Sequence, residues 1–368
     1  MPTPKLSDEL AREAWDALVA HEHNSLAASR SLGMPDNTFR NRIMIARERG
    51  FHLPSGIQDA MASVGINNSN MISGGWLKTK EASIHFRMEK PTVDAREAAN
   101  HIREALRGLP EAQVAQKPAE VAHDKMTLYP LPDVHAGMKY RGWGLRDAVQ
   151  RLDGVFDHLI GASLPTHTAL IIALGDTLHH NDRTNKTQSG HVLDVDCTPE
   201  EAAAAMIASI ARGIELALTK HEEVVVAVLR GNHDRDAYLI VLYSLIERYR
   251  NEPRVKINRD DSEFLIFPWE DILIFAHHGD KAKPERLVMW VANEHRELWG
   301  KAKHCFLFTG HMHHMRAADI SGVQWEQLRA ITPKDDFAVS NSYTGKASAV
   351  AITYGKGEGE VSRITLNL

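Results

Sequence analysis

Cysteine is scarce in this chain of 368 residues, with only 2 present. Cys197 and Cys305 stand in unrelated contexts, so neither a disulfide framework nor a cysteine zinc site can be assembled from them. A reducing, cytoplasmic setting is the expectation. Long apolar runs are also missing. No segment approaches the roughly 20 apolar residues that a membrane helix requires, and no basic stretch at the N-terminus leads into an apolar one. No membrane partner is expected. The formal net charge of −5 supplies no overall field for nucleic acid, so any attraction of that kind must come from a local basic face. Internal repeats and low-complexity tracts are absent as well. What the chain does have is 43% hydrophobic and 25% charged residues, enough apolar matter for one large domain and a small one. It also has 21 histidines, gathered most densely between residues 277 and 314. That enrichment points to metal.

Residues 6–50 read as three short helices. Ser7 is a candidate N-cap, and Leu10, Ala14, Ala17 and Leu18 line one face of the first helix. A second runs from Ser25 to the stop at Gly33, and Pro35 opens a third with Phe39, Ile43 and Ala46 at helical spacing. Small alanines that let helices cross closely, with a glycine turn between them, follow helix-turn-helix grammar. The pattern resembles bacterial helix-turn-helix domains of the resolvase or Fis-like kind. That resemblance implies a third helix in the major groove, with Asn37, Thr38, Arg40 and Asn41 facing DNA. Five arginines between residues 30 and 50 (Arg30, Arg40, Arg42, Arg47, Arg49) outnumber Asp36 and Glu48. The alternative is a helical protein-interaction module whose arginines are simply solvated. Residues 51–72 suit a linker, residues 76–80 and 83–87 alternate like a hairpin, and residues 94–109 read as an amphipathic helix. The expected organisation is a helix-turn-helix domain over 1–52, a linker with a small accessory hairpin and helix over 53–122, and a catalytic domain over 123–368.

From residue 125 onward, apolar runs end in polar, ligand-like blocks. Residues 126–131 lead into Asp133-Val134-His135, and residues 169–174 into Gly175-Asp176. Residues 224–229 lead into Arg230-Gly231-Asn232-His233-Asp234, residues 272–276 into His277-His278-Gly279-Asp280, and residues 305–308 into Gly310-His311-Met312-His313. Buried strands that deliver functional groups at their carboxyl ends indicate an α/β architecture whose loops at that edge build the site. Carboxylate and imidazole donors suit borderline divalent ions such as Mn, Fe or Zn, and two ions about 3.5–4 Å apart can share one carboxylate.

With the order of all five blocks intact, residues 125–320 resemble the calcineurin-like metallophosphoesterase superfamily. The resemblance implies an α/β (α+β) fold: a two-sheet β-sandwich flanked by helices, in four αββα layers, with the small all-α domain ahead of it. It implies that Asp133, His135, Asp176 and His313 hold one ion while Asp176, Asn232, His278 and His311 hold a second, Asp176 bridging the two. The cofactors would be two divalent ions, Mn first, with Fe, Zn or Ni as alternatives. Four metal charges less two ligand aspartates leave a strongly phosphate-attracting centre. By the same resemblance the reaction is in-line displacement at phosphorus, with His233 as general acid and Asp234 orienting its ring; the bland readings are a supporting histidine and a helix cap. His278 is preferred over His277 because it precedes glycine, and His277 would then point to the opposite sheet face. Arg230 and His179 are candidate substrate contacts, as is Arg183, whereas His180, Asp182 and His314 read as supporting or solvated. Residues 323–328, 348–354 and 361–368 alternate as antiparallel strands expected to close the second sheet.

Gly175-Asp176-Thr177-Leu178-His179 lacks the Asp-Arg-Gly element of serine/threonine phosphatases, and the third block ends in Asp234 where those enzymes carry glutamate. Protein phosphatase is therefore disfavoured. The order looks more like the nuclease subunit of double-strand-break repair complexes, the phosphodiesterases, and phage- or prophage-encoded metallophosphoesterases. The leading expectation is a two-metal phosphodiesterase acting on DNA in a bacterial cytoplasm, its helix-turn-helix raising the local DNA concentration. Two other readings stand beside it: a nucleotide or small-molecule phosphatase with a protein-binding N-terminal module, and a non-catalytic DNA-binding factor on a phosphoesterase scaffold. The sequence is compatible with a monomer or an oligomer.

Overall fold

The computed structural model describes residues 6–21, 25–49, 51, 74–78, 83–87, 116–187, 192–260, 262–334, 339 and 344–368. The chain divides into two compact units, 1–93 and 94–368. In the first, α1 (Asp8–Ala20), α2 (Ser25–Ser31) and α3 (Asp36–Glu48) enclose Ala14, Leu18, Ala28, Phe39 and Ile43. The small side chains of Ala14 and Ala28 let the three helices share so short a core. Ser7 caps α1, its hydroxyl oxygen accepting from the Leu10 amide at 3.3 Å. Leu10, expected on the buried face, is exposed; Ala11 takes that place, in helical phase with Ala14 and Leu18. Gly33, at φ +61°, ends α2 in the left-handed conformation that glycine adopts without steric cost. Thr38, Arg40 and Asn41 are exposed on α3; the side chain of Asn37 lies outside the described residues. Arg42 pairs with Glu13 at 3.4 Å and Arg49 with Asp8 at 2.6 Å. The hairpin is present as β1 (Gly74–Lys78) antiparallel to β2 (Ser83–Arg87), Gly74 facing Arg87. The linker expected over 51–72, apart from residue 51, and the helix expected over 94–109 lie outside the described residues.

The second unit is built on two sheets. The larger has the order β13 (Gly359–Asn367), β12 (Ser348–Gly355), β3 (Ala122–Leu131), β4 (Thr166–Leu174), β5 (Glu223–Leu229), β6 (Val255–Ile257), with β3 to β6 parallel. The smaller runs β10 (Arg316–Ile320), β11 (Val323–Gln327), β9 (His304–Thr309), β8 (Ile272–His277), β7 (Phe264–Trp269). Alternation along each strand decides which core a residue joins. In β4, Leu170, Ile172 and Leu174 face the second sheet, meeting Ile272, Ile274, Phe306 and Phe308. Ala169, Ile171 and Ala173 face the other way, under α4 (Leu145–Ala162), α5 (Pro199–Leu218) and α6 (Tyr238–Arg248). On the far side, Leu273, Phe275 and Leu307 pack under Leu287, Val288 and Val291 of α7 (Pro284–Glu294), which is followed by α8 (Arg296–Lys301). The result is four layers, helices outside and sheets inside.

The closing strands depart from expectation. β12 and β13 extend the first sheet, with Ile352 opposite Leu128, and β11 joins the second sheet parallel to β9, with Trp325 opposite Leu307. Alternation shows that a strand has two faces and says nothing about its neighbour; the partner is chosen by contacts distant in sequence. Among the described residues no helix is long and apolar enough to cross a membrane.

Candidate metal centre

The loops after β3, β4, β5, β8 and β9 bring Asp133, His135, Asp176, Asn232, His278, His311 and His313 to one rim. Three groups there present ligand atoms within 4.8 Å of one another: Asp133 with His135 and His313, Asp176 with His278 and His311, and His135 with His179 and His233. Asp176 touches the first two. Its Oδ2 lies 3.2 Å from His278 Nε2 and 3.8 Å from His135 Nε2. His313 Nε2 is 3.3 Å from Asp133 Oδ1 and 3.1 Å from His135 Nε2, and His278 Nε2 is 3.2 Å from Asn232 Oδ1.

The backbone is bent to make this possible. Asp133, His135, Asp176, His311 and His313 have φ of 50°, 49°, 49°, 69° and 55°, five of the nine described residues other than glycine with positive φ. A side-chain-bearing residue in that region costs on the order of 1 kcal/mol or more, so the surrounding bonds must hold it. They do: His135 N–H donates to the Asp176 carbonyl at 2.9 Å and Ala136 N–H to the Thr177 carbonyl at 3.0 Å, continuing the β3–β4 ladder past the strands. The His311 amide donates to both Asp133 oxygens, at 3.1 and 2.9 Å. Gly231 has no room for a side chain, because a Cβ would strike the Asp176 carboxylate.

These groups call for a cation. Asp133, Asp176 and His278 are 0%, 1% and 1% exposed. His278 Nδ1–H donates to the Leu174 carbonyl at 3.0 Å, which turns Nε2 toward the oxygens of Asp176 and Asn232. A neutral ring would set its lone pair against theirs. Burial opposes a charged imidazole here, yet the Asp176 carboxylate outweighs it and raises His278 to about 10. Burial likewise opposes ionised Asp176, and the imidazoles of His278 and His233 overcome it and hold the carboxyl well below its usual range. A proton on His278 thus supplies the positive charge that a divalent ion would supply. Burial drives His135 far down, and lowers His311 as well, which keeps both rings neutral as metal ligands must be.

His233 sits beside this cluster. Its amide donates to Asp176 Oδ1 at 2.8 Å, and its ring Nδ1–H donates to the His179 carbonyl at 2.8 Å, leaving Nε2 to take or give a proton. Asp234 does not orient that ring. Its two oxygens accept from the amides of Gly231, at 2.8 Å, and Leu178, at 3.1 Å, tying the third block to the second. A short carboxylate three residues past Gly231 folds back onto its own loop more readily than it reaches the neighbouring side chain. Burial, with Asp176 nearby, raises its pKa to about 6. His179 is 3% exposed and stands 3.1 Å from His135, ring nitrogen to ring nitrogen, so it backs the centre from within; burial lowers it to about 3.

Arg230 is engaged by Glu263 at 2.7 Å, and Lys281 pairs with the same carboxylate. His277 faces Glu263 too, at 3.7 Å, and accepts from the Gly279 amide at 2.8 Å, turned away from the side on which His278 meets Asp176. Arg183 pairs with Glu200 at 3.2 Å, and His180 is fully buried. Sequence reasoning missed Glu263, which belongs to no motif, and the left-handed backbone. The only available signal for the latter was residue type, since aspartate and histidine tolerate that region better than most.

The family model for calcineurin-like phosphoesterases matches residues 126–330, the span that carries all five blocks. This chain belongs to that family. It is accordingly a metal-dependent phosphoesterase, a hydrolase of the calcineurin-like type. Solved structures similar to it include Yfce, a phosphoesterase from E. coli, at 18% identity and TM-score 0.33, covering 65% of this chain and 98% of that one. Another is an archaeal phosphodiesterase at 11% identity and TM-score 0.35, covering 66% and 99%. A third is Vps29 from Entamoeba histolytica, complexed with zinc, at 12% identity and TM-score 0.31, covering 66% and 99%. These superpositions are too loose to carry a substrate or a metal from those proteins to this one. No curated protein matches this chain.

Proposed function

We propose that this phosphoesterase cleaves phosphodiester bonds, with DNA as its substrate class. Asp133, His135, Asp176 and His313 would hold one divalent ion, and Asp176, Asn232, His278 and His311 a second, with Mn foremost. Bound there, such ions lower the pKa of water toward neutrality and neutralise charge on phosphate oxygens. The observation that carries this reading is the Asp176 carboxylate, whose Oδ2 reaches a histidine of each group while Oδ1 fixes His233. His233, proton-bearing at Nε2 when charged, protonates the departing alkoxide, and the His179 carbonyl holds the ring in the required tautomer. Asp234 keeps the loop that carries Asn232 and His233 in place.

DNA as the substrate class is supported by the three-helix N-terminal unit, read as a helix-turn-helix, with Thr38, Arg40 and Asn41 exposed on α3. One observation favours the alternative of a nucleotide or small-molecule phosphatase with a protein-binding N-terminal unit: Arg42 and Arg49 are already paired with acids of α1. The deciding experiment compares the full chain, loaded with Mn, on a phosphodiester reporter, a phosphomonoester reporter, and single- and double-stranded DNA. Diester and DNA cleavage, lost in His233→Ala, is the expected result. A preference for the monoester with no cleavage of DNA would overturn the diesterase reading in favour of the alternative.

A further inference from the structure

A second group of ligand-type side chains meets at the opposite edge of the six-stranded sheet. His123 lies near the start of β3, His167 near the start of β4, and Glu222 immediately before β5. Because these strands run parallel, their starts share one edge and the catalytic loops occupy the other. From His167 to Asp176 the extended chain covers roughly 30 Å at ~3.3 Å per residue. One ligand atom from each of His123, His167 and Glu222 falls within 4.8 Å of the others. Glu222 Oε2 lies 3.7 Å from His123 Nδ1 and 3.7 Å from His167 Nε2, and the two rings are tilted at 51° with centroids 5.8 Å apart. Two donors on one zinc ion sit about 3.3 Å apart when each bond is ~2.0–2.1 Å and the angle tetrahedral. For each carboxylate–imidazole pair a closure of a few tenths of an ångström, by exposed side chains, reaches that spacing.

The hydrogen bonding behind His167 sharpens this. Thr168 Oγ1 donates to Glu223 Oε1 at 3.1 Å, so toward His167 Nδ1, 3.0 Å away, the same hydroxyl can only accept. Nδ1 therefore carries a proton, which leaves Nε2 as the ring nitrogen turned toward the Glu222 carboxylate. A carboxylate–hydroxyl relay of this kind orients metal-binding imidazoles, presenting Nε2 on the same side as the Glu222 carboxylate, where a cation can be shared between them. Glu222 itself is divided: Lys117 Nζ pairs with Oε1 at 2.9 Å, leaving Oε2 to the histidines. The edge beneath is firm, with the Ala122 amide donating to the Pro165 carbonyl at 3.0 Å and the Glu222 amide to the Thr166 carbonyl at 3.3 Å. Side-chain exposures of 74% for His123, 38% for His167 and 29% for Glu222 let an ion enter without opening the fold.

We propose that His123, His167 and Glu222 form a peripheral site for a divalent transition ion of the zinc type, separate from the phosphoesterase centre. Two imidazoles and one carboxylate are a zinc donor set, and the remaining coordination positions face solvent. An ion there fastens the starts of three neighbouring strands to one another, so its effect is on the stability of this edge rather than on phosphoester turnover.

The test uses the full chain, stripped with a chelator and then titrated with Zn2+ alone. Wild type is expected to bind one equivalent more than the His123→Ala/His167→Ala double variant, and to gain more thermal stability from Zn2+, while diester turnover with Mn stays within about twofold. Glu222→Gln is the second variant, with the same loss expected, and circular dichroism in chelator verifies that each variant is folded. Lys117→Met, which removes a competing positive charge, is expected to tighten Zn2+ several-fold. Equal stoichiometry and equal Zn2+-dependent melting in wild type and the folded variants would overturn the site. So would an affinity unmoved by Lys117→Met, since Glu222 would then not be a ligand.

Discussion

The two edges of the larger sheet carry similar donors in opposite settings. At the carboxyl edge, Asp133, Asp176, His135 and His278 are buried, and five of the seven gathered residues sit on left-handed backbone. At the amino edge, His123, His167 and Glu222 are partly or largely exposed, and none has positive φ. Burial makes the first cluster demanding: its charges have no water to turn to, so a proton on His278 or a metal must balance them. Exposure makes the second permissive, since water can serve every donor. Strain and burial together mark the edge where chemistry is done; donor identity alone marks only where an ion can bind.

Asp176→Ala is expected to do the most damage, because one carboxylate touches both ligand groups and His233. Turnover should fall about a thousandfold or more, with metal binding lost. Metal content by emission spectroscopy alongside diester kinetics checks it, and a loss of less than tenfold would end the claim that the edge is organised around that residue. His233→Ala should lower kcat by about a hundredfold to a thousandfold on an alkoxide leaving group, and by much less on nitrophenolate, which needs no proton. Its metal content should match wild type. If both substrates suffer alike, His233 acts otherwise than as a proton donor.

Gly231→Ala probes the close approach of the loops. A methyl group there meets the Asp176 carboxylate, so the variant should lose about 2 kcal/mol of stability and about tenfold or more in turnover, read from urea melts and kinetics.

The smallest effect on turnover is expected at His221, buried behind the amino edge, where Nδ1 accepts from the Thr166 amide at 3.3 Å and Nε2 lies 2.8 Å from the Tyr129 hydroxyl. Burial lowers its pKa from 6.5 to about 4. The folded state therefore binds fewer protons than the unfolded chain between those values. This contribution to stability is fully present above about 6.5 and is lost almost linearly as pH falls from about 6.5 to about 4, by about 3 kcal/mol in total. His221→Gln should flatten that slope in chelator-treated protein; an unchanged slope would assign it to other groups.

Much of the larger unit was legible in the chain itself. Each of the five polar blocks follows an apolar run, and each run is a strand; the parallel order of β3, β4 and β5 brings three of their ends to one edge, and that of β8 and β9 the other two. The four layers could be read through resemblance, and the parity of β4 assigns its residues to two cores. Illegible were the partners of β12 and β13, the clamp made by Asp234, and the pairing of Arg230 with Glu263. Each depends on an interaction whose two ends have no pattern in common. In the N-terminal unit the helices were legible from capping and spacing, while the exchange of Leu10 for Ala11 on the inner face was not, because a shift of one residue in a weakly apolar helix barely changes its periodicity.

By itself, the sequence determined which residue types stand at the strand ends, in what order, and hence the family and the kind of chemistry available. That information is local: an apolar run and the few polar residues after it specify one another through strand propensity and turn chemistry. Only tertiary structure decided that Asp176 reaches both histidine groups, that Glu263 holds Arg230, and that His123, His167 and Glu222 meet at the far edge. Those outcomes rest on distances between residues dozens of positions apart, which sheet register sets and no stretch of sequence encodes alone.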